Sequence, residues 1–308
     1  MRNDAFPCDA DPCRGAELAD ELARLPQAAL LVDGERLCVL QARAFEIPRL
    51  LREIGRLRER AFRAIGEGTG GELDLDRFDS RYRHLFVWDR EARAVAGAYR
   101  LAATDDFAAR ELPRALYTHT LFDYGAEFLA TLGSSLELGR AFVTPEYQRC
   151  SRVLALLWKG IHCALEQAGA RSLFGAVSVS ATYSRRSRGL IAAALLTHRR
   201  HLESEGLVRA RTPFPLEAAD FSAAQTLADP RELSAQVAAL EPDGAGLPVL
   251  VKRYLELGGE FAAWHVDRAF GDSLDGLLVL ALDRADPVRV ARYSRNRSSA
   301  ARTSSVVS

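Results

Sequence analysis

The chain has 308 residues, 48% of them hydrophobic, and its 41 basic and 41 acidic side chains cancel. That composition excludes a disordered chain and any global field that would gather nucleic acid or anionic lipid. Five cysteines without a Cys-x-x-Cys pair argue against a disulfide framework or zinc knuckle, no apolar run nears the roughly 20 residues of a bilayer span, and no export signal opens the chain, so a cytoplasmic protein is expected.

In chain order, residues 1–28 mix Pro, Asp, Arg and Cys without periodicity and read as a loosely held tail. An apolar segment follows around Leu30–Leu40. Behind Pro48, a helix-start residue, Leu50, Ile54, Leu57, Ala61 and Ile65 recur at the spacing of one helix face and predict an amphipathic helix that Gly66 and Gly68 end. Leu85–Trp88 and Ala94–Leu101 predict a hairpin. Leu116–Leu132 is irregular and aromatic, and Ser135–Val143 predicts a strand closed by Pro145, which launches a buried helix over 146–167. Strand Leu173–Val179, helix Tyr183–Leu202, helix Pro248–Leu257 and strand Leu277–Leu282 complete an alternating α/β pattern. The chain thus divides into a tail (1–28), a core (29–220), a C-terminal extension packed on it (221–290) and a second tail (291–308).

Two placements are chemically anomalous. Arg58 sits within or beside the first helix's apolar stripe, between Ile54 and Phe62, where it is either a snorkelling side chain or a buried guanidinium that needs an acid. Asp74, Asp76 and Asp79 follow closely enough to supply one. Glu137 and Arg140 interrupt an otherwise apolar strand, where unpaired ions cost several kcal/mol each. Strict alternation sends them to opposite faces, but Gly139 is where a bulge resets the register. They form either a structural ion pair or a site whose acid takes a proton from an amine. Gly66-Glu-Gly-Thr-Gly70 follows a helix instead of a strand, so its glycines read as caps and turns rather than a phosphate loop. His84 and Asp89, five apart in a strand, point to opposite faces, and no metal-ligand spacing is present.

Arg58-x-x-x-Phe62, Leu75-Asp-Arg-Phe-Asp79, Gly97-Ala-Tyr-Arg100 and Glu137-Leu-Gly-Arg140 resemble, in order and spacing, motifs of acyl-homoserine-lactone synthases and ornithine-lipid N-acyltransferases. Ile54–Glu59, Gly66–Gly70, Trp158–Ile161 and Phe174–Ser180 resemble the ornithine N-acyltransferase, or so-called hemolysin, branch. The resemblance implies a GNAT (acyl-CoA N-acyltransferase)-like α/β fold, a mixed sheet flanked by helices with a C-terminal α/β extension. It implies transfer of a fatty or 3-hydroxyacyl chain from the phosphopantetheine of acyl carrier protein to an amino acid's α-amine, such as ornithine's, without a permanently bound cofactor. By position it makes Glu137, the proton acceptor or amine orienter, catalytic with Arg140 and Arg100, and sets Arg58, Phe62, Asp76 and Asp79 beside the acceptor. The pantetheine arm would lie on Phe142 and Val143 and reach the next helix's N-terminus at Arg149 and Arg152. Ser178 and Ser180 either line this site or cap the following helix.

The turn Gln148-Arg-Cys-Ser-Arg-Val153 lacks the glycines that let backbone amides wrap a pyrophosphate, which favours a carrier-protein donor over coenzyme A. An acidic carrier protein wants a basic face, for which Arg149, Arg152, Arg185, Arg186 and Arg188 are candidates, while His198–His201 reads as a solvated helix end. An amphiphilic product implies peripheral contact with the inner face of the membrane. Two rivals stand beside this reading: an autoinducer-type synthase, against which Leu247–Gly258 argues, and a non-catalytic scaffold that binds carrier protein or lipid.

Overall fold

A computed structural model describes residues 12–284. The second tail, 291–308, lies outside the described residues. The elements in chain order are helix α1 (Pro12–Leu22), strands β1 (Leu30–Val32) and β2 (Leu37–Arg43), α2 (Pro48–Arg63), β3 (Arg83–Asp89), β4 (Ala94–Ala103), β5 (Phe122–Tyr124), α3 (Ala126–Leu132), β6 (Ser135–Val143), α4 (Ser151–Ala168), β7 (Ser172–Val179), α5 (Arg185–His198), β8 (Val208–Ala210), α6 (Ala218–Ala224), α7 (Pro230–Leu240), α8 (Val249–Leu257), β9 (Glu260–Asp267) and β10 (Ser273–Ala281). Eight strands form one mixed sheet in the order β1-β2-β3-β4-β6-β7-β10-β9, and β5 pairs with β8 in a small second sheet.

Only β6 and β7 run parallel, and they pair only from Ser135↔Ser172 to Leu138↔Gly175. Gly175 is required at that last rung, since a Cβ there would sit 2.2 Å from the Leu138 carbonyl oxygen. Beyond it the two strands diverge. On one face of the sheet, α4 and α5 cover Val39, Leu85, Val87, Leu136 and Leu173. The other face carries two separate apolar clusters: α1 and α2 lie over Leu40, Phe86, Ala98 and Phe142, while Phe78, Tyr82, Leu116, Phe122 and Phe128 lie over Ala102, Phe174 and Leu277. Strand alternation along β4 puts Arg100 between Ala98 and Ala102, in the seam between these clusters.

Several boundaries differ from the sequence expectation. The predicted tail holds α1, whose Leu18 and Leu22 pack beside α2, and whose Glu21 accepts hydrogen bonds from the Arg49 and Leu50 amides at 3.0 and 2.8 Å. This supplies the cap that Ile47 cannot give α2. The buried helix starts at Ser151 because Pro145–Tyr147 forms a single 3-10 turn and Cys150 is extended. Within 116–132 lie β5 and α3. Strand β9 escaped the reading because a bulge opposite Gly276/Leu278 breaks its alternation. There Gly276 leaves room for the stacked rings of Phe261 and Trp264.

Candidate functional site

The bulge expected near Gly139 is present. Between Ala98↔Phe142 and Arg100↔Gly139, β6 carries one residue more than β4, and the strained residue is Arg140, at φ +51°. The extra residue turns Arg140 onto the face that already holds Glu137 and Arg100. Both guanidiniums lie over the Tyr117 ring, at 4.8 and 5.1 Å.

Arg58 is fully buried and paired, not snorkelling. It meets Asp74 at 3.0 Å and Asp79 at 3.0 and 3.1 Å, and also donates to the Asp74 carbonyl. Arg100 reaches Asp76 at 2.6 Å and Asp79 at 3.1 Å. Arg140 reaches Asp74 at 3.1 Å and donates to the Tyr117 hydroxyl at 3.0 Å. Three arginines therefore face three aspartates in one seam. Burial pushes Asp79 up, but Arg58 and Arg100 outweigh it and hold the carboxyl well below its usual range. His84 is buried against the Asp79 carbonyl and pushed down to about 4, so it stays neutral.

Glu137 is placed differently from the sequence expectation. Its carboxylate accepts from the Tyr82 hydroxyl and from the Tyr117 and Thr118 amides at 3.1 and 2.7 Å, and at 1% exposure it faces protein on all sides. It fastens the 117–118 turn, which carries Tyr117.

The divergence of β6 from β7 opens a cleft. From the β6 side Leu138, Gly139, Arg140 and Ala141 line it. Tyr117, Phe62 and Phe270 reach it from above, Leu250 and Tyr254 from α8, and Ser178 and Asp275 from the β7–β10 side. Phe62 and Phe270 meet edge to face at 5.0 Å. Ser178 and Asp275 are cross-strand partners. The Ser178 hydroxyl donates to Glu67 at 3.1 Å. Glu67 and Asp275 are both buried, and both were missed from the sequence. Burial pushes Glu67 up to about 7, and burial, then Asp267 and Glu67, pushes Asp275 well above the carboxylate range.

The glycine loop explains how Glu67 gets there. Its amides of Thr69 and Gly70 donate to the buried Glu59 carboxylate, at 2.9 and 3.0 Å, so the loop wraps a side chain of α2. Gly66 and Gly68 take the positive φ values, +76° and +109°, that this wrap demands. The signal available in the sequence was the tight glycine spacing around a single acid.

The remaining expected residues divide. Phe62 and Ser178 line the cleft, whereas Ser180 donates to the Ile65 carbonyl at 2.5 Å and ties β7 to the end of α2. Asp76 and Asp79 belong to the seam. The Phe142 side chain is buried under α2, so only its backbone and Val143 follow the diverging edge. Arg149 and Arg152 are exposed at the start of α4, and Arg186 on α5. Arg185 is committed to Asp220 and Glu217, and Arg188 to the Asp272 carbonyl, which removes both from a free basic face. His201 is buried and His198 bonds the Ala224 carbonyl, so this pair is not the solvated helix end expected. Among the described residues no three His, Cys, Asp or Glu side chains converge closely enough to hold a metal, and no helix is long and apolar enough to cross a membrane.

Comparison with known proteins agrees with this architecture. Residues 57–159 match the acetyltransferase (GNAT) domain. A glycine N(alpha)-acyltransferase of Bacteroides thetaiotaomicron is 32% identical over 256 residues, 77% of this chain and 74% of that protein. One from Phocaeicola vulgatus is 30% identical over 257 residues, covering 77% of each. Among solved structures, an N-acyl amino acid synthase from uncultured soil microbes aligns over 81% of this chain and 94% of its own, at 8% identity and a TM-score of 0.40. The chain is an acyltransferase: it belongs to the family of GNAT-domain N-acyltransferases that includes these two glycine N(alpha)-acyltransferases.

Proposed function

We propose that this enzyme moves a fatty or 3-hydroxyacyl chain from the phosphopantetheine thioester of acyl carrier protein to the α-amine of an amino acid, with glycine ahead of ornithine as acceptor. The observation that carries the acceptor is the charge pattern of the cleft. The seam behind it is balanced, three arginines against three aspartates, while the β7–β10 side adds Asp275 at the cleft and Glu67 and Asp267 behind it, with Arg140 the cation that acts on both Glu67 and Asp275. A zwitterion answers both features: its carboxylate toward Arg140 and Tyr117, its ammonium toward Ser178 and Asp275. The relatives' acceptor is the reason to put glycine first.

The donor arm would enter along the diverging edge of β6, at Val143 and the backbone of Phe142. There the start of α4 and the exposed Arg149 and Arg152 suit a single phosphate on an acidic carrier. Freed backbone amides of the splayed strands would polarise the thioester carbonyl. The neutral amine attacks directly: the C–N bond forms, the C–S bond breaks, and an amide and a free thiol leave. The amphiphilic product gives peripheral membrane contact a use.

The test is mass spectrometry of the protein with 3-hydroxyacyl and plain acyl carrier proteins and a pool that includes glycine and ornithine, following free carrier thiol and N-acyl product. Binding without any product would favour the scaffold reading. Charge reversal at Arg149 and Arg152 should raise KM for the acylated carrier about tenfold; an unchanged KM refutes that docking face.

A further inference from the structure

An amino acid arrives as an ammonium and must shed a proton before it can attack, and the residues named by the resemblance supply no exit. Glu137 is taken up by three protein donors and is not part of the cleft lining, and Arg140 only donates. On the β7–β10 side, however, the Ser178 hydroxyl lines the cleft and donates to Glu67 behind it at 3.1 Å. Glu67 is held there from two directions. The loop wrapped on Glu59 carries it inward, and Gly271 closes over Gly66 so tightly that a Cβ would lie 2.4 Å from the Gly66 carbonyl oxygen.

We propose that Ser178 and Glu67 are the proton outlet of the acceptor amine: the ammonium gives a proton to Ser178 Oγ as Ser178 passes its own to Glu67. This rests on the amino-acid acceptor reading above. The balance closes. One N–H proton goes to Glu67 and thence to solvent, the second N–H proton goes to the departing thiolate as the amide forms, and no other reactant is needed. Ser178 touches the substrate; Glu67 acts through it.

The groups that face Glu67 are Ser178 on β7, Arg140 on β6, Asp267 at the end of β9 and Asp275 on β10. Burial is the largest influence and pushes Glu67 up to about 7; Ser178 and Arg140 oppose it and Asp267 adds to it. A base so poised takes a proton and returns it near neutral pH. Burial, then Asp267 and Glu67, push Asp275 upward as well.

The experiment compares Glu67→Gln and Ser178→Ala with the unaltered enzyme on two acceptors, glycine and aminooxyacetate. The second keeps a carboxylate but presents a nitrogen that is already neutral at pH 7. Both variants should acylate glycine roughly 10²-fold or more slowly at pH 7, lose far less on aminooxyacetate than on glycine, and lose the acidic limb of the glycine pH profile. Equal loss on both acceptors, or an unmoved limb, overturns the outlet. An unaltered enzyme that releases no thiol with any amino acid sinks the acceptor reading itself, and the outlet with it.

Discussion

Two buried charged regions lie side by side in this molecule and follow opposite rules. In the seam between the apolar clusters, Arg58, Arg100 and Arg140 meet Asp74, Asp76 and Asp79 at 2.6 to 3.8 Å, and every charge has a counter-charge. On the β7–β10 side of the cleft, Glu67, Asp267 and Asp275 gather, and Arg140 is the cation that acts on Glu67 and Asp275. The first region is complete without a ligand; the second holds more acids than cations. Removing a charge should therefore destabilise the seam and stabilise the acidic side, and that difference in sign separates framework from site.

The largest effect is expected in the seam. Arg58→Met leaves Asp74 and Asp79, still touched by Arg140 and Arg100, one buried guanidinium short and should cost about 3–5 kcal/mol in chemical denaturation. A loss well under 1 kcal/mol would mean that the seam is better solvated than its burial indicates. Glu67→Gln should act the other way. The folded state binds this proton more tightly than the unfolded chain does, so unfolding releases it, and stability falls as pH rises from about 4.5 to about 7. Denaturation at pH 5 and pH 8 should show the variant gaining on the unaltered protein, by up to about 3 kcal/mol at pH 8. A variant that loses stability at pH 8 would place Glu67 with the framework.

Glu137 tests which region the expected acid belongs to. With three protein donors and no place in the cleft, it should behave as framework: Glu137→Gln should lower stability by about 1–3 kcal/mol, through one misplaced donor. The pH profile of turnover should keep its shape. A lost acidic limb would restore Glu137 to the role that its strand position first implied.

Much of the framework was legible in the sequence because it is written in short periods. The stripe from Leu50 to Ala61 gave α2, Arg58 declared itself by breaking that stripe, and Gly139 marked the bulge that brings Arg140 round to Glu137. The cleft's acidic side was not legible, for physical reasons. Glu67 looks like a loop acid until Glu59, Gly271 and Ser178 enclose it, and those contacts cross 111 residues of chain in the case of Ser178. Asp275 sits in a run whose neighbours are apolar, but its chemistry depends on Ser178 across the ladder and on the end of β9, the strand whose bulge hid it. Local pattern reports which side chains are buried; whether a buried acid has its counter-charge is decided by distant partners.

Arg140 belongs to both regions and so gives the finest test. Its fork holds Asp74 and the Tyr117 hydroxyl, while its exposed edge, at 12%, faces the cleft. Arg140→Lys keeps the charge but loses the fork, and lysine lacks the planar pair of donors that matches a carboxylate. The seam keeps its balance, so stability should change little. KM for the amino acid should rise roughly tenfold, the loss of about one charged hydrogen bond, while KM for the acyl donor stays fixed. If both constants moved together, Arg140 would be shaping the cleft as a whole; if neither moved, the zwitterion's carboxylate would have to be held elsewhere, and the asymmetry between seam and acidic side would describe the fold without describing the acceptor.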